Sequence, residues 1–298
     1  MRTTLWGTLA LVPTVVVGAF IWGLGGVNRV AATEFPLDLN RLRAAALASG
    51  EPLPLAMGEH VIGVGEFPKG AIVAGESLLA KQRLVFRTHV LGYADGRTVV
   101  IDPVHGARLH EKFYGDGFNQ RAWELMQKAL ARASLVLATH EHFDHVAGIA
   151  SAPDFSALHA KVLLSREQLQ SAAIEDAEFS GEQLDQLVPL DYEDYYSPAP
   201  GIALKKAPGH SPGSQMIFVH FDDGREVLFV GDIAWSWQNL LEQRGRPRIV
   251  SALIGEDGTA VAAQLATLQE ILPASSASAA TPNGLQLVLS HEMRPDRD

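Results

Sequence analysis

Four side chains that can bind a metal ion lie within residues 140–145, near the middle of the chain. His140, His142, Asp144 and His145 follow directly on a short apolar run, residues 135–139. Imidazoles together with a carboxylate suit zinc, and also iron or manganese. Ligands are often held on a loop at the end of a strand, where rigid elements position them. This spacing therefore predicts a metal site directly after a strand.

Three further candidate ligands each stand at the end of an apolar, strand-like run. His210 lies in a loop punctuated by glycine and proline, Asp232 follows Val230 and Gly231, and His291 follows the last apolar run. The chain contains no cysteine, so a thiolate ligand, a cysteine nucleophile and disulfides are all excluded. Four ligands on one loop cannot complete the shells of two ions, and these three positions could supply the remainder.

The four motifs His-x-His-x-Asp-His, Gly-His-Ser-Pro-Gly, Gly-Asp and Ser-His follow one another in an order that resembles the metallo-β-lactamase-fold hydrolases. The resemblance covers residues 55–298. It implies an α/β (α+β) fold in the form of a four-layer αββα sandwich. It also implies two divalent metal ions, with zinc expected and manganese or iron as alternatives. The implied ligands are His140, His142 and His210 for one ion, Asp144, His145 and His291 for the other, and Asp232 as the bridge.

The resemblance also assigns roles to two aspartates. A water held between two cations loses a proton near neutral pH and becomes a nucleophile. Asp144 would be the catalytic residue that orients this nucleophile and carries its proton to the leaving group. Asp102, which ends the strand before the motif, resembles the supporting aspartate of the family and would contact the ligands from behind. His105 and His110 lie just beyond it; either could line the pocket, but both are interpreted as surface histidines.

Three kinds of function are compatible with this site. The first is hydrolysis of an ester-like bond in a small molecule, with a lactone or thioester favoured over a β-lactam or phosphodiester. The second is a single-iron sulfur dioxygenase on the same fold, and the third is a non-catalytic, membrane-anchored binding protein that keeps its metal. A nucleic-acid partner is not expected, because the net charge is −10 and no basic cluster is present.

Alternating strand and helix patterns must position these residues. Two hairpins are predicted, each with an Asp-Gly turn, and each is followed by an aspartate, Asp102 or Asp232. This repetition hints at two similar halves, each a sheet with covering helices. A Ser-x-x-Gln capping box is predicted to start the helix over 165–176. The predicted strands are 83–93, 98–101, 135–139, 215–221, 226–230 and 285–289, and the other predicted helices are 119–132 and 259–272.

The first residues of the chain form an uncharged apolar stretch over 5–27 that is long enough to cross a bilayer. Residues 1–30 are therefore predicted to be a membrane anchor, a transmembrane helix that leaves the remaining chain extracytoplasmic (periplasmic or extracellular). The alternative is a signal peptide cleaved near Val30, with a secreted product. Residues 31–54 are interpreted as a spacer, and residues 55–298 as the hydrolase domain.

Overall fold

Two five-stranded sheets form the centre of the protein in a computed structural model that describes residues 34–272 and 284–293. The first sheet has the order β1-β2-β3-β4-β5, and the second has the order β10-β9-β8-β7-β6. The strands of the first sheet, from β1 to β5, are Pro54–Pro68, Lys81–Tyr93, Thr98–Ile101, Leu135–Leu137 and Val162–Leu163. The strands of the second sheet, from β6 to β10, are Tyr195–Ala199, Ile202–Lys206, Gln215–His220, Glu226–Phe229 and Leu285–Val288.

Helices connect these strands and cover the outer faces of both sheets. In chain order from α1 to α11 they are Leu39–Leu47, Lys69–Ile72, Ala107–Tyr114, Gln120–Arg132, Phe143–Ala150, Phe155–Leu158, Arg166–Gln170, Gly181–Gln186, Trp237–Leu241, Arg248–Leu253 and Gly258–Glu270. Short 3₁₀ turns occupy His159–Lys161, Ala172–Ala177 and Gly231–Ile233.

Three apolar clusters separate the layers of the molecule. Alternation along β3 shows the arrangement, because Val100 packs outward with Met126 of α4 while Ile101 packs inward between the sheets. Inward-facing side chains of the second sheet, such as Phe229, complete the middle cluster. Leu265 of α11 packs in the third cluster on the far side. The mixed α/β fold with two packed sheets therefore agrees with the expected metallo-β-lactamase-like sandwich.

The two halves repeat one connection. An antiparallel hairpin, β2–β3 or β8–β9, is followed by helices and then by a strand parallel to the second hairpin strand, β4 or β10. Both predicted Asp-Gly turns are present, with Gly96 and Gly224 at positive φ. Strand β7 is antiparallel to β8, so β7, β9 and β10 run in one direction and end at one edge of the second sheet.

Local sequence signals explain where the helices begin. Helix α4 starts after Asn119, whose side chain accepts a hydrogen bond from the backbone N–H of Ala122, as the predicted helix over 119–132 requires. The capping box of Ser165 and Gln168 is present at the start of α7. The single helix predicted over 165–176 is wrong, because Ser171 is extended and caps a separate 3₁₀ turn.

Part of the segment interpreted as a spacer belongs to the folded unit. Helix α1 begins after Asp38, and its Leu42 and Ala46 are fully buried against the second sheet. Arg43 of the same helix forms a bidentate ion pair with Glu226 of β9. The folded unit therefore begins before residue 55, since removal of α1 would expose this apolar face.

The predicted membrane anchor over residues 1–30 lies outside the described residues. Within residues 34–272 and 284–293, no helix combines the length and the apolar composition that a bilayer span requires.

Candidate metal centre

The seven predicted ligands meet at one edge shared by the two sheets. Strand β4 leads into the loop that carries His140 and His142, and α5 begins directly afterwards, so Asp144 and His145 lie in its first turn. The remaining three follow strands β7, β9 and β10, which end at one edge of the second sheet. We call His140, His142, His210 and Asp232 the first ligand set, and Asp144, His145 and His291 the second ligand set.

The nitrogen atoms of the first ligand set converge on a common point. Nδ1 of His142 lies 3.1 Å from Nε2 of His140 and 3.0 Å from Nε2 of His210. Oδ2 of Asp232 lies 3.3 Å from Nε2 of His210. Ligands about 2.0–2.1 Å from a tetrahedral ion stand roughly 3.4 Å apart, so these spacings suit a zinc-sized cation.

The second ligand set lies beside the first, and Asp232 faces both. Nε2 of His291 is 3.6 Å from Oδ2 of Asp144, and Nε2 of His145 is 4.0 Å from the same oxygen. Oδ1 of Asp232 is 3.4 Å from Nε2 of His145 and 3.2 Å from Nε2 of His291. The Asp232 carboxylate thus stands between the two sets, where the predicted bridging ligand has to be.

Two buried atoms of this centre support the fit to metal ions. Nε2 of His145 and Oδ1 of Asp232 have no hydrogen-bond partner within the described part of the chain. Buried polar atoms without partners are rare and costly, and a cation between them would supply the missing interaction. The donor set contains only imidazoles and carboxylates, which suits divalent metal ions.

Burial and neighbouring charges set the protonation of the ligands. Burial lowers the pKa of His142 to about 3 and also lowers the pKa of His140, so both rings are neutral and their lone pairs can bind a cation. Burial would raise the pKa of Asp232, but the neighbouring His291 and His145 outweigh it and hold the pKa well below the usual range.

Asp102 lies where the supporting aspartate was predicted. Its Oδ2 is 3.1 Å from Nδ1 of His145, and its carboxylate accepts hydrogen bonds from the backbone N–H and the hydroxyl of Thr139. Burial opposes protonation of His145, but the charges of Asp102, Asp232 and Asp144 outweigh it and raise the pKa of His145. Because Nδ1 of His145 faces the Asp102 carboxylate, Nε2 of the same ring is directed toward the metal centre.

A buried network behind His210 was not predicted from the sequence. Oε2 of Glu256 lies 3.1 Å from Nδ1 of His210, and Ser251 donates to the other carboxylate oxygen at 2.8 Å. Arg246 donates to Glu256 and, at 2.5 Å, to the backbone oxygen of Asp232. Glu256 thus orients one ligand in the way Asp102 orients another. It lies in a loop without any recognisable spacing, so no sequence signal could have identified it.

Glu141 ties together the two loops that carry the imidazoles of the first ligand set. Its carboxylate accepts hydrogen bonds from Oγ of Ser211 at 2.9 Å and from the backbone N–H of Gly213 at 3.3 Å. A Cβ atom on Gly213 would stand 2.5 Å from Oε2 of Glu141 and 2.7 Å from Cα of Gln168. The glycine is therefore required for the close approach of these loops.

Two histidines interpreted as surface residues are in fact buried. His105 and His110 have no exposed surface, and their rings stack with Nε2 of His105 3.0 Å from Nδ1 of His110. The sequence interpretation was wrong because it did not include the packing of Phe86 and Tyr114 against these rings. Burial lowers the pKa of His105 to about 3, so its ring is neutral.

Aromatic side chains border the ligands on one side. Nε1 of Trp235 donates to Oδ2 of Asp232 at 2.6 Å, and its ring lies 5.7 Å from that of His291. The hydroxyl of Tyr114 is 3.4 Å from Oδ2 of Asp144. We call the partly exposed side chains Phe67, Tyr114, Phe143 and Trp235 the aromatic wall.

Comparisons with known proteins identify the family of this chain. The profile of the Beta-lactamase superfamily domain matches residues 97–267. N-acyl homoserine lactonases of Bacillus thuringiensis and Bacillus cereus are 28% identical to the chain over 111 residues. This match covers 36% of this chain and 41% of those relatives, so the chain spans about two fifths of the length of the curated relatives it matches.

Solved structures share the fold over most of the chain. A quorum-quenching N-acyl homoserine lactone lactonase superposes with a TM-score of 0.59 at 15% identity, covering 82% of this chain and 95% of that one. A probable metal-dependent hydrolase from Staphylococcus aureus has a TM-score of 0.57 at 16% identity and covers 81% and 90% of the two chains. A dizinc quorum-quenching lactonase has a TM-score of 0.53 at 12% identity and covers 82% and 91%. Given the matched domain and the grouped His and Asp ligands, the chain belongs to the metallo-β-lactamase superfamily of metal-dependent hydrolases.

Proposed function

We propose that the protein hydrolyses a lactone with two divalent metal ions, most simply zinc, held by the two ligand sets. The observation that carries the proposal is the Asp232 carboxylate, which has oxygen atoms within 3.4 Å of ligand nitrogens in both sets. A single-ion site would need only one of these sets. N-acyl homoserine lactonases among the relatives support a lactone as the substrate class.

The chain's own residues then divide the work of ring opening. Metal ions bound here supply Lewis acidity, which activates water and polarises a carbonyl oxygen. Asp144 accepts the proton that the attacking water loses. It returns this proton to the ring oxygen as the single bond between the carbonyl carbon and the ring oxygen breaks. The products balance as one hydroxy acid from one lactone and one water. Burial raises the pKa of Tyr114, so its hydroxyl stays protonated and can hold Asp144 in place.

The aromatic wall supports a substrate with an apolar arm. Phe67 and Trp235 meet edge to face at 6.2 Å, and Tyr114 and Phe143 stack at 6.1 Å, directly beside the ligands. Partly exposed aromatic rings bind apolar groups through contact area and restrict where the reacting carbonyl can lie. Within this proposal, N-acyl lactones with an aliphatic acyl chain are the compounds to test first.

The test combines metal content with a substrate panel on the purified full-length protein in detergent. Elemental analysis should give close to two zinc or manganese ions per chain. Hydrolysis of N-hexanoyl homoserine lactone should exceed that of a thioester, a β-lactam and a phosphodiester. One iron per chain, with oxygen uptake on a sulfur substrate and no hydrolysis, would instead support the single-iron dioxygenase. Metal binding without any turnover would favour the non-catalytic alternative.

We also propose that residues 1–30 anchor the protein in a membrane and leave the hydrolase extracytoplasmic. The support is the uncharged apolar stretch over 5–27. The protein should remain in the membrane fraction after alkaline carbonate extraction. A reporter fused after the last residue should be active only outside the cytoplasm. Release of a shortened chain into the medium or periplasm would instead identify a cleaved signal peptide.

A further inference from the structure

We propose that Arg87 is a positioning residue that fixes His291 and thereby sets the affinity of the second ligand set for its ion. The inference rests on the proposed two-ion site and adds a residue that no motif identifies. Arg87 lies on β2 of the first sheet, whereas His291 follows β10 of the second sheet. The Arg87 side chain therefore joins the two sheets beside the metal centre.

His291 comes from a segment that needs such support. Strand β10 has four residues and lies at the end of its sheet, hydrogen-bonded to β9. His291 stands three residues beyond the end of that strand. Its backbone oxygen accepts from the N–H of Val85 at 2.9 Å, and its Nδ1 lies 3.1 Å from the oxygen of Val85. These contacts orient the ring, but both involve one residue of β2.

Arg87 holds the backbone on both sides of this ligand. Its Nη2 donates to the oxygen of Leu289 at 2.5 Å and to the oxygen of Glu292 at 3.0 Å. These carbonyl groups lie two residues before and one residue after His291. A guanidinium group is planar and rigid, so contacts to two carbonyl oxygens fix the path of the chain between them. The carboxylate of Glu292 in turn accepts from the backbone N–H of Trp237 at 2.5 Å.

Glu59 makes this arrangement possible in the interior. The Arg87 side chain is only 6% exposed, and an unpaired charge at such a depth would be strongly unfavourable. Oε2 of Glu59 lies 2.9 Å from Nη1 of Arg87 and 3.3 Å from Nε2 of His89, which stands opposite it on β2. One side of the guanidinium is thus neutralised while Nη2 contacts the ligand segment. Both carbonyl groups that Nη2 contacts flank His291 of the second ligand set, so we expect the larger effect on that set.

The experiment titrates metal-free full-length protein in detergent with Zn²⁺ by calorimetry and with Co²⁺ by visible absorption. The double variant Arg87→Met/Glu59→Gln removes the ion pair without leaving an unpaired buried charge. We expect one ion to bind as in the wild type and the other to bind about 10- to 100-fold more weakly, with an altered Co²⁺ spectrum for that equivalent.

The double variant Arg43→Met/Glu226→Gln is the matched control, because it removes another Arg–Glu pair, at the start of β9 rather than at the end that leads to Asp232, and should bind both ions normally. Wild-type affinity for both ions in the Arg87→Met/Glu59→Gln protein would overturn the inference, as would an equal loss at both. If that variant does not fold, Arg87→Lys takes its place, because an ammonium group cannot match the guanidinium fork. Fewer than two ions in the wild type would instead refute the proposed function itself.

Discussion

The backbone of Asp102 lies in the left-handed region, with φ at +53°, which is unusual for a residue other than glycine. Aspartate and asparagine tolerate this conformation better than other side chains. Asp102→Asn therefore keeps the backbone preference while it removes the charge beside His145. We expect the ion of the second ligand set to bind about 10- to 100-fold more weakly, as measured by titration with zinc. Asp95→Asn in the exposed turn of the same hairpin is the control, and equal affinities in the two variants would contradict this role.

The hydroxyl of Tyr114 gives a second prediction at the scale of one residue. Tyr114→Phe removes the donor 3.4 Å from Asp144 while it keeps the ring in the aromatic wall. Because a hydrogen bond to a charged group contributes about 1.5–3 kcal/mol, we expect kcat for a lactone to fall about tenfold or more with unchanged metal content. Tyr93→Phe removes a buried hydroxyl that donates to Pro200 and should leave kcat unaffected. A change in KM alone would assign Tyr114 to substrate binding instead.

Sequence could identify the candidate ligands, but not the residues that orient their side chains. The first motif places four candidate ligands within residues 140–145, and the other three stand directly after apolar runs. Glu256 and Arg87, in contrast, reach the centre from a loop and from the middle of a strand. Their contacts depend on how the two sheets pack, and no spacing along the chain records that packing.

At the scale of elements, the contact between the two ligand loops depends on Gly213. We expect Gly213→Ala to lower the free energy of unfolding by about 1–3 kcal/mol, because the new methyl group would meet Glu141 and the backbone of Gln168. Urea denaturation would measure the change. Gly181→Ala is the matched control, since a Cβ atom at that position meets nothing within 4 Å. Equal stability of the two variants would show that the loops adjust without cost.

The elements themselves were predicted unevenly. Strand β3 has the predicted bounds, and α4 differs from its prediction by one residue. Strand β1 was not predicted, because its glycines and charged residues hide any alternation. The structure gives the reason, since Gly63 and Gly65 lie against the side chains of His110 and Tyr114. The close packing of α3 against β1 therefore requires glycines in this strand, although glycine has a low propensity for β-strands.

At the scale of the whole molecule, Glu59 links acidity to stability. Its contacts with His89 and Arg87 lower the pKa of Glu59 to about 2 from its ordinary value of 4.5. The ionised carboxylate therefore contributes stability that is fully present above pH 4.5 and is lost as the pH falls toward 2. In metal-free protein, we expect the unfolding free energy of Glu59→Gln to fall less steeply than that of the wild type across this window. Parallel urea denaturation profiles would contradict the assignment.

Removal of the metal ions should destabilise the whole fold. The ligands come from both sheets, so an ion that binds only the folded state adds stability according to its concentration relative to its Kd. At about a thousandfold excess over Kd this amounts to about 4 kcal/mol, or roughly 10 °C in Tm for a protein of this size. Differential scanning calorimetry with and without chelator would measure it. A Tm that does not respond to added zinc would contradict the ligand assignment.

Because the candidate ligands follow strands of both sheets, cleavage of the chain between the two sheets would separate them into two groups. Val188 is 78% exposed, and along the chain it follows the last strand of the first sheet and precedes the first strand of the second. Cleavage there would leave His140, His142, Asp144 and His145 on one fragment and the other three ligands on its complement. Neither fragment could hold either ion with a complete shell. Reassembly of the two fragments would then depend on the metal ions. The recovered activity would report the free concentration of these ions in the solution.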